Sequence, residues 1–293
     1  MKHIIVDAMG GDHAPQAPVQ GALDALKAYD VEITLVGRLD AIQGELTACG
    51  VTTLPAHLHI QEATEVVEIC DDPATAFKRK KDSSLTVGLN MVKSGAGDAF
   101  VSAGSTGALL SGATLLVKRI RGVRRAALCP QIPTKTGHTV LCDCGANAEC
   151  TPEYLLQFAF LANLYAKNIM GLAQPKVGLL NIGAEPSKGD SLRLETYGLL
   201  QKAHDQGLLH FIGNVEGSDA MLGEADVIVA DGFTGNVMLK TMEGTAKFMN
   251  MELKSIFLAN LKSKLGALLV SKGFKAFKKK IDPNEVGALP SWG

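Results

Sequence analysis

The stretch "VIVADGFTGNVMLKTMEG" (residues 227–244) places an apolar run, an acid and two glycines where a strand has to become a helix. The same grammar recurs along the chain. Short β-rich runs, "HIIVD" (3–7), "VEITLVG" (31–37), "DAFVSAG" (98–104), "TVLCDCG" (139–145), "KVGLLNIG" (176–183) and "DVIVADG" (226–232), alternate with longer helical patterns. Helices are predicted over 17–29, 106–118, 152–168 and 190–204, the third opened by the cap and first-turn pair Thr151-Pro152. Near-continuous apolar strands are covered on both faces, so the pattern predicts an α/β fold, a three-layer α/β/α sandwich with a mostly parallel sheet. No long linker, low-complexity tract or short-period repeat interrupts it. One intertwined catalytic domain is expected over 1–248, then an amphipathic helical arm over 249–282 and a short tail over 283–293.

Composition narrows the function. The chain has 293 residues, 46% of them hydrophobic and 20% charged, enough for a sizeable core. A net charge of −1 gives no electrostatic reason to expect nucleic acid. The six cysteines show no CxxC pair and no zinc-ligand spacing, so reduced thiols are expected, with no metal and no cofactor. The opening "MKHIIVDAMGGD" is unlike a secretory leader, and nothing approaches the ~18 apolar residues of a membrane span. A cytoplasmic protein is expected, with peripheral contact to a membrane left open.

The turns at the strand ends carry the chemistry. "DAMGGD", "SAGSTGA", "DCGAN", "NIGAEPSKG" and "DGFTGN" are small, polar and glycine-bearing, and ligands of open α/β sheets bind at the carboxyl ends of strands. Glycine permits close backbone approach, and the next helix offers unpaired N–H groups suited to an anion. Several such turns together predict a phosphate-sized crevice. Other phosphate and hydrolase signatures are missing: Lys188 precedes its glycine, which excludes a Walker loop, and no strand-following GxGxxG, GxSxG or HExxH occurs. His57 and His59 alternate in a strand or loop and read as surface residues.

The strings "VDAMGGDHAP" (6–15), "DDPATAFKRKKDSS" (71–84), "VSAGSTGALL" (101–110), "CDCGANAECTPEYLLQFA" (142–159), "LLNIGAEPSKG" (179–189), "FIGNVEG" (211–217) and "DGFTGNVMLKTMEG" (231–244) resemble the bacterial acyl carrier protein:phosphate acyltransferase family, PlsX. The resemblance implies transfer of a long-chain fatty acyl group from acyl carrier protein to inorganic phosphate, giving acyl phosphate for phospholipid synthesis. It also implies a fold similar to phosphate acetyltransferase and the isocitrate and isopropylmalate dehydrogenases, a homodimer, and a peripheral membrane protein with a helical arm.

Phosphate already carries anionic oxygens, so such a site needs positioning and oxyanion stabilisation more than an activated nucleophile. Lys188 is the candidate point charge for phosphate, with backbone donors of Ser105, Thr106 and Gly107 and the turn at Gly10 and Gly11. A lysine in a first helical turn opposes the helix dipole, which favours an anion partner. Asn236 and Asn147 are interchangeable candidates for the thioester carbonyl oxygen, and Asp231 for orienting a donor or accepting a proton. Asp7, Asp12 and His13 are expected to order the first turn, and Gly104, Gly183, Glu185, Gly232, Thr234 and Gly235 to shape the substrate walls. Lysines and apolar residues at helical spacing over 249–281 point to core or dimer packing, to an anionic membrane, or to acidic acyl carrier protein. The chain departs from the family at Ser105, where asparagine is usual, and at Arg125, where proline is usual. Its end, "IDPNEVGALPSWG", looks shortened or altered. Two other readings stay open: a transferase using short-chain acyl-coenzyme A, and a disabled binding protein of the same fold.

Overall fold

Two mostly parallel sheets, each sandwiched between helices, organise the chain in a computed structural model that describes residues 1–280 and 289–290. They belong to two compact units, one holding residues 1–121 and one beginning at Gly122, inside the span that the sequence reads as a single domain.

The first unit runs β1 (Lys2–Asp7), α1 (Gln16–Ala28), β2 (Val31–Gly37), α2 (Leu39–Ala48), β3 (Leu58–Glu62), α3 (Ala76–Arg79), α4 (Ser84–Lys93), β4 (Ala99–Val101) and α5 (Thr106–Leu116). Its strands are all parallel, in the order β3-β2-β1-β4. Alternation along each strand splits the core between two faces. Ile33 and Leu35 pack against Val19 and Leu23 of α1 and Ile42 of α2. Ile5 and Val36 meet Val87 and Met91 of α4 on the other side.

The second unit runs β5 (Leu128–Cys129), β6 (Gln131–Pro133), β7 (His138–Cys142), α6 (Pro152–Asn168), β8 (Lys176–Asn181), α7 (Ser191–Asp205), β9 (His210–Glu216), α8 (Gly217–Ala220), β10 (Val227–Val229), α9 (Gly232–Leu258), α10 (Leu261–Lys280) and β11 (Leu289–Pro290). Its main sheet has the order β6-β7-β10-β8-β9, with only the β6 edge antiparallel. A separate antiparallel pair joins β5 to β11. Val227 and Val229 pack with Phe158 of α6 and Leu200 of α7, while Ile228 faces Ala220 and the partly buried Met238 and Leu239 of α9.

Strands end earlier than the apolar runs suggest, because the residues after Cys142, Asn181 and Val229 turn back to form hydrogen-bonded loops and caps. The helical arm also begins elsewhere. Residues 232–258 contain no proline, so α9 continues from the "DGFTGN" turn to Leu258 without a boundary at 248. Asn260 then restarts the chain as α10, its Oδ1 accepting the Ser263 N–H at 2.9 Å. The expected tail at 283–293 lies outside the described residues apart from β11.

Two glycines fix how α9 docks. A Cβ on Gly235 would stand 1.9 Å from the Asp143 carbonyl oxygen, and one on Gly232 would stand 2.6 Å from that of Asn147. Further along, Gly244 has nothing within 4 Å of that position. Gly235→Ala is therefore expected to destabilise the protein by about 3 kcal/mol or more, from overpacking against backbone. Gly244→Ala is expected to stabilise it by roughly 0.5–1 kcal/mol, from helix propensity. Urea unfolding of the two variants beside the parent chain checks the opposite signs.

Candidate active site

In the second unit the turn after β7 is built on one buried carboxylate. Asp143 Oδ1 accepts the N–H groups of Leu128, Cys144 and Ala146 at 2.9, 2.7 and 3.2 Å, and Oδ2 accepts the Asn147 N–H at 2.8 Å. The Asn147 side-chain amide donates both to Asp143 Oδ2, at 2.9 Å, and to the Ala126 carbonyl, at 2.7 Å. Both of its protons are thus engaged within the turn, and this amide is a brace, without a free donor for a substrate oxygen. The Asn147 carbonyl accepts the Gly232 N–H at 2.7 Å, which seats the first turn of α9 directly on the loop.

Asp231 caps α9. Its carboxylate accepts the Thr234 N–H at 2.9 Å and the Thr234 hydroxyl at 2.8 Å, and it forms an ion pair with the Arg193 guanidinium. Burial alone would raise this carboxyl, but the Thr234 hydrogen bonds and Arg193 outweigh it and hold it below its ordinary value. A carboxylate so stabilised keeps its charged, hydrogen-bond-accepting form.

Arg193, which sequence reasoning passed over, joins the two helix entries. Its backbone N–H and one guanidinium nitrogen go to Asp190, at 2.9 and 3.0 Å, and the other nitrogen goes to Asp231 and to the Thr234 hydroxyl, the latter at 2.8 Å. The available signal was only the i, i+3 spacing from the capping aspartate in "DSLR". Beside it, at the carboxyl end of β8, opens a cavity of about 640 Å³ lined by Asn181, Ile182, Arg193, Thr234, Val237 and Met242 among others.

Gly183, Glu185 and Lys188 share the loop that leads from β8 to α7. Lys188 is exposed and precedes the cap Asp190, so it stands ahead of the helix and not in its first turn. Its carbonyl accepts the Asn181 amide at 3.0 Å, and its aliphatic stem covers buried Gly183, where a Cβ would lie 3.0 Å from Lys188 Cγ. The Glu185 carbonyl takes the Asn214 amide at 2.7 Å. Gly189 supplies the one left-handed residue of this loop, with φ +98°. Asn236 is exposed on α9 beside Gly145, whose Cβ would sit 3.8 Å from the Asn236 amide oxygen. The cysteines nearby are poor nucleophiles, since burial pushes Cys144 up to about 12 and Cys150 up to about 11.

The first unit gathers its own set. Asp7, buried at the end of β1, accepts the Met9 N–H at 3.1 Å and the Ser102 hydroxyl at 2.7 Å, and Ser102 in turn accepts the Gly104 N–H at 3.1 Å. Gly10 fits between them, its Cβ position being 2.5 Å from Asp7 Oδ2 and 2.9 Å from the Gly104 nitrogen. Gly11, with φ +99°, lies against Ala103. Ser105 caps α5 through the Ala108 N–H at 3.3 Å, so its hydroxyl serves the helix at the position where the family's asparagine was expected. Thr106 and Gly107 open that helix, with Gly107 against Pro73. Asp12 and His13 are exposed on the outside of the first turn.

Residues 2–293 match the family described as "Fatty acid synthesis protein". A phosphate acyltransferase of Desulfitobacterium hafniense is 48% identical over 99% of this chain and 85% of its own length. One from Thermoanaerobacterium thermosaccharolyticum is 44% identical over 99% of this chain and 84% of its own. Among solved structures, a phosphotransacetylase from Streptococcus pyogenes superposes with a TM-score of 0.63, 18% identity and coverage of 84% of this chain and 82% of that one. EutD phosphotransacetylase from Staphylococcus aureus gives 0.60 at 18% identity, with coverage of 84% of this chain and 82% of that one. At that identity the structures bear on the fold alone.

The lowered Asp231 carboxyl makes stability depend on pH. Its contribution is full above the ordinary carboxylate value and is lost as pH falls through the lowered one. Asp231→Asn is expected to lose about 1.5–3 kcal/mol near neutrality, the usual worth of hydrogen bonds to a charged group. Its stability should also fall less steeply than the parent's on acidification below about pH 4. Unfolding midpoints measured from pH 3 to 7 check both.

Proposed function

The chain belongs to the fatty acid synthesis protein family, and from that membership we infer its activity and the parts its residues take. It is a phosphate acyltransferase of lipid synthesis. The acyl donor is a long-chain acyl carrier protein thioester and the acceptor is inorganic phosphate. A phosphate oxygen attacks the thioester carbonyl, the C–O bond forms, a tetrahedral oxyanion collapses, and the C–S bond breaks to release the carrier's thiolate, which takes up a proton. Acyl phosphate leaves.

The observation that carries the residue assignment is the contrast between two asparagines and one lysine at the ends of β7, β8 and β10. Asn147 has both amide protons committed within its turn, whereas Asn236 is exposed, so Asn236 is the donor for the oxyanion. Lys188, exposed at the mouth of the β8 loop, is the point charge for phosphate. Asp231 orients Thr234 and Arg193 and leaves the proton chemistry to phosphate. Gly183, Glu185, Gly232 and Gly235 shape the backbone around them. In the first unit, the turn at Gly10 and Gly11 and the start of α5 at Gly104, Ser105, Thr106 and Gly107 form an anion-suited surface, flanked by Asp12 and His13.

The helical arm supports two further assignments. No helix among the described residues is long and apolar enough to cross a membrane. Yet Leu261, Leu265, Leu268 and Leu269 of α10 are 84, 63, 70 and 80% exposed, among lysines 262, 264 and 272. Such a surface suits a homodimer and peripheral contact of a cytoplasmic enzyme with an anionic membrane.

With palmitoyl acyl carrier protein and labelled phosphate, acyl phosphate trapped by hydroxylamine should accumulate above an enzyme-free control. Lys188→Ala is expected to raise the phosphate KM at least tenfold, and Asn236→Ala to lower kcat by about 10²–10³, the usual cost of an oxyanion donor. Unchanged kinetics in both variants would remove these two residues from the site. A preference for short-chain acyl-coenzyme A in direct competition would replace the donor.

A further inference from the structure

The guanidinium of Arg193 crosses from one strand end to the next. Helix α7 opens at Asp190, whose Oδ1 accepts the Arg193 N–H at 2.9 Å and whose Oδ2 accepts one guanidinium nitrogen at 3.0 Å. The backbone leaves room for the side chain, since a Cβ on Gly189 would lie 2.7 Å from Arg193 Cβ. The other nitrogen reaches Asp231 and the Thr234 hydroxyl at the start of α9. That hydroxyl donates in turn to Asp231 at 2.8 Å, so arginine, carboxylate and hydroxyl close a ring. Only 13% of the Arg193 side chain and 7% of that of Asp231 are exposed.

Charge limits what this arginine can do. Asp190 and Asp231 bring two carboxylates to one guanidinium, so the cluster is net negative as it stands and repels a further anion. Lys188, exposed and two residues before Asp190, forms no ion pair with another described residue and is the better charge for phosphate.

What the guanidinium does supply is a span. On its α7 side the chain runs back through Gly189 to Lys188, whose carbonyl accepts the Asn181 amide at 3.0 Å. On its α9 side Asp231 and Thr234 belong to the helix entry, and Asn236 follows one turn after the Gly232 seat. No other hydrogen bond among the described residues joins residues 182–193 to residues 231–242. The cavity beside Arg193 is lined from both segments, by Ile182 and Asp190 on one and by Thr234 and Val237 on the other.

We propose that Arg193 is a positioning residue of the transfer reaction, a tie that fixes the loop bearing Lys188 against the turn bearing Asn236 and so sets the distance between phosphate and the thioester oxyanion. This role rests on the assignments of Lys188 and Asn236 made above. A planar fork suits it where lysine does not, because a single ammonium cannot hold Asp190 and Asp231 in one fixed geometry. A misplacement of about 1 Å is enough to cost roughly 10²-fold in rate.

The test measures kcat and phosphate KM by hydroxylamine trapping in Arg193→Lys, Arg193→Gln, Asn236→Ala and the two double variants, with circular dichroism and urea midpoints recorded for each. Arg193→Gln is expected to lower kcat about tenfold or more and Arg193→Lys to recover part of that loss, both leaving the phosphate KM within about threefold of the parent's. With Asn236→Ala already in place, either change at Arg193 should lower kcat by less than about twofold further, because a donor that is gone cannot be misplaced. Should Arg193→Gln fail to fold, Arg193→Lys carries both comparisons. Losses that multiply in the double variants mark an effect independent of Asn236 and overturn the proposal, as does a kcat unchanged by both Arg193 variants. A rise of roughly tenfold or more in the phosphate KM makes Arg193 a phosphate ligand and overturns it too. An Asn236→Ala chain that turns over as fast as the parent overturns the assignment of Asn236 and the tie with it, and that single variant tells this outcome apart from the others.

Discussion

The Asp143 carboxylate is the constraint on which the second unit turns. Five hydrogen bonds converge on its two oxygens, four from backbone N–H groups and one from the Asn147 amide. A buried carboxylate is tolerated only when its oxygens are so satisfied, and satisfying them dictates the course of the chain from Cys144 to Asn147. That course in turn presents the Asn147 carbonyl to Gly232, and two glycines let α9 settle on it. Asp231 is then held where Thr234 and Arg193 reach it. Removing this one side chain would loosen a loop, a helix entry and a cavity wall together.

Much of the fold was legible because parallel strands announce themselves. Runs such as "VIV" at 227–229 are apolar throughout, and each does face helices on both sides. What the periodicity could not convey was that β1–β4 and β6–β10 form separate sheets, since strand partners are decided by tertiary pairing and not by any one run. Strand β3 and helices α2 and α4 lie in less regular patterns, and the short edge strand β6 is bounded by prolines, which weaken any strand signal.

The candidate site was legible in its glycines and less so in its side chains. Gly10, Gly232 and Gly235 sit where backbones approach too closely for a Cβ, which is the physical demand that the turn motifs express. Asn147 and Asn236 looked equivalent in sequence, yet they differ because one lies within reach of Asp143 and a carbonyl and the other does not. Arg193 was invisible for a related reason: its partners Asp231 and Thr234 are 38 and 41 positions away, and no local spacing encodes that meeting. Ser102 likewise acquires its role only by meeting Asp7 across 95 positions.

Helix α9 has 27 residues, about 40 Å at 1.5 Å per residue, and no proline interrupts it. One end is clamped by the Asp231 cap and the two glycine seats, and the other carries exposed Ile256 and Leu258. A rod fixed so firmly at its base acts as a pointer. A tilt of a few degrees at the first turn sweeps the far tip through several ångströms, and a load on the tip returns to the base as torque. The geometry of Thr234 and Arg193 is thereby tied to whatever surface the distant end rests upon, with no moving part between them.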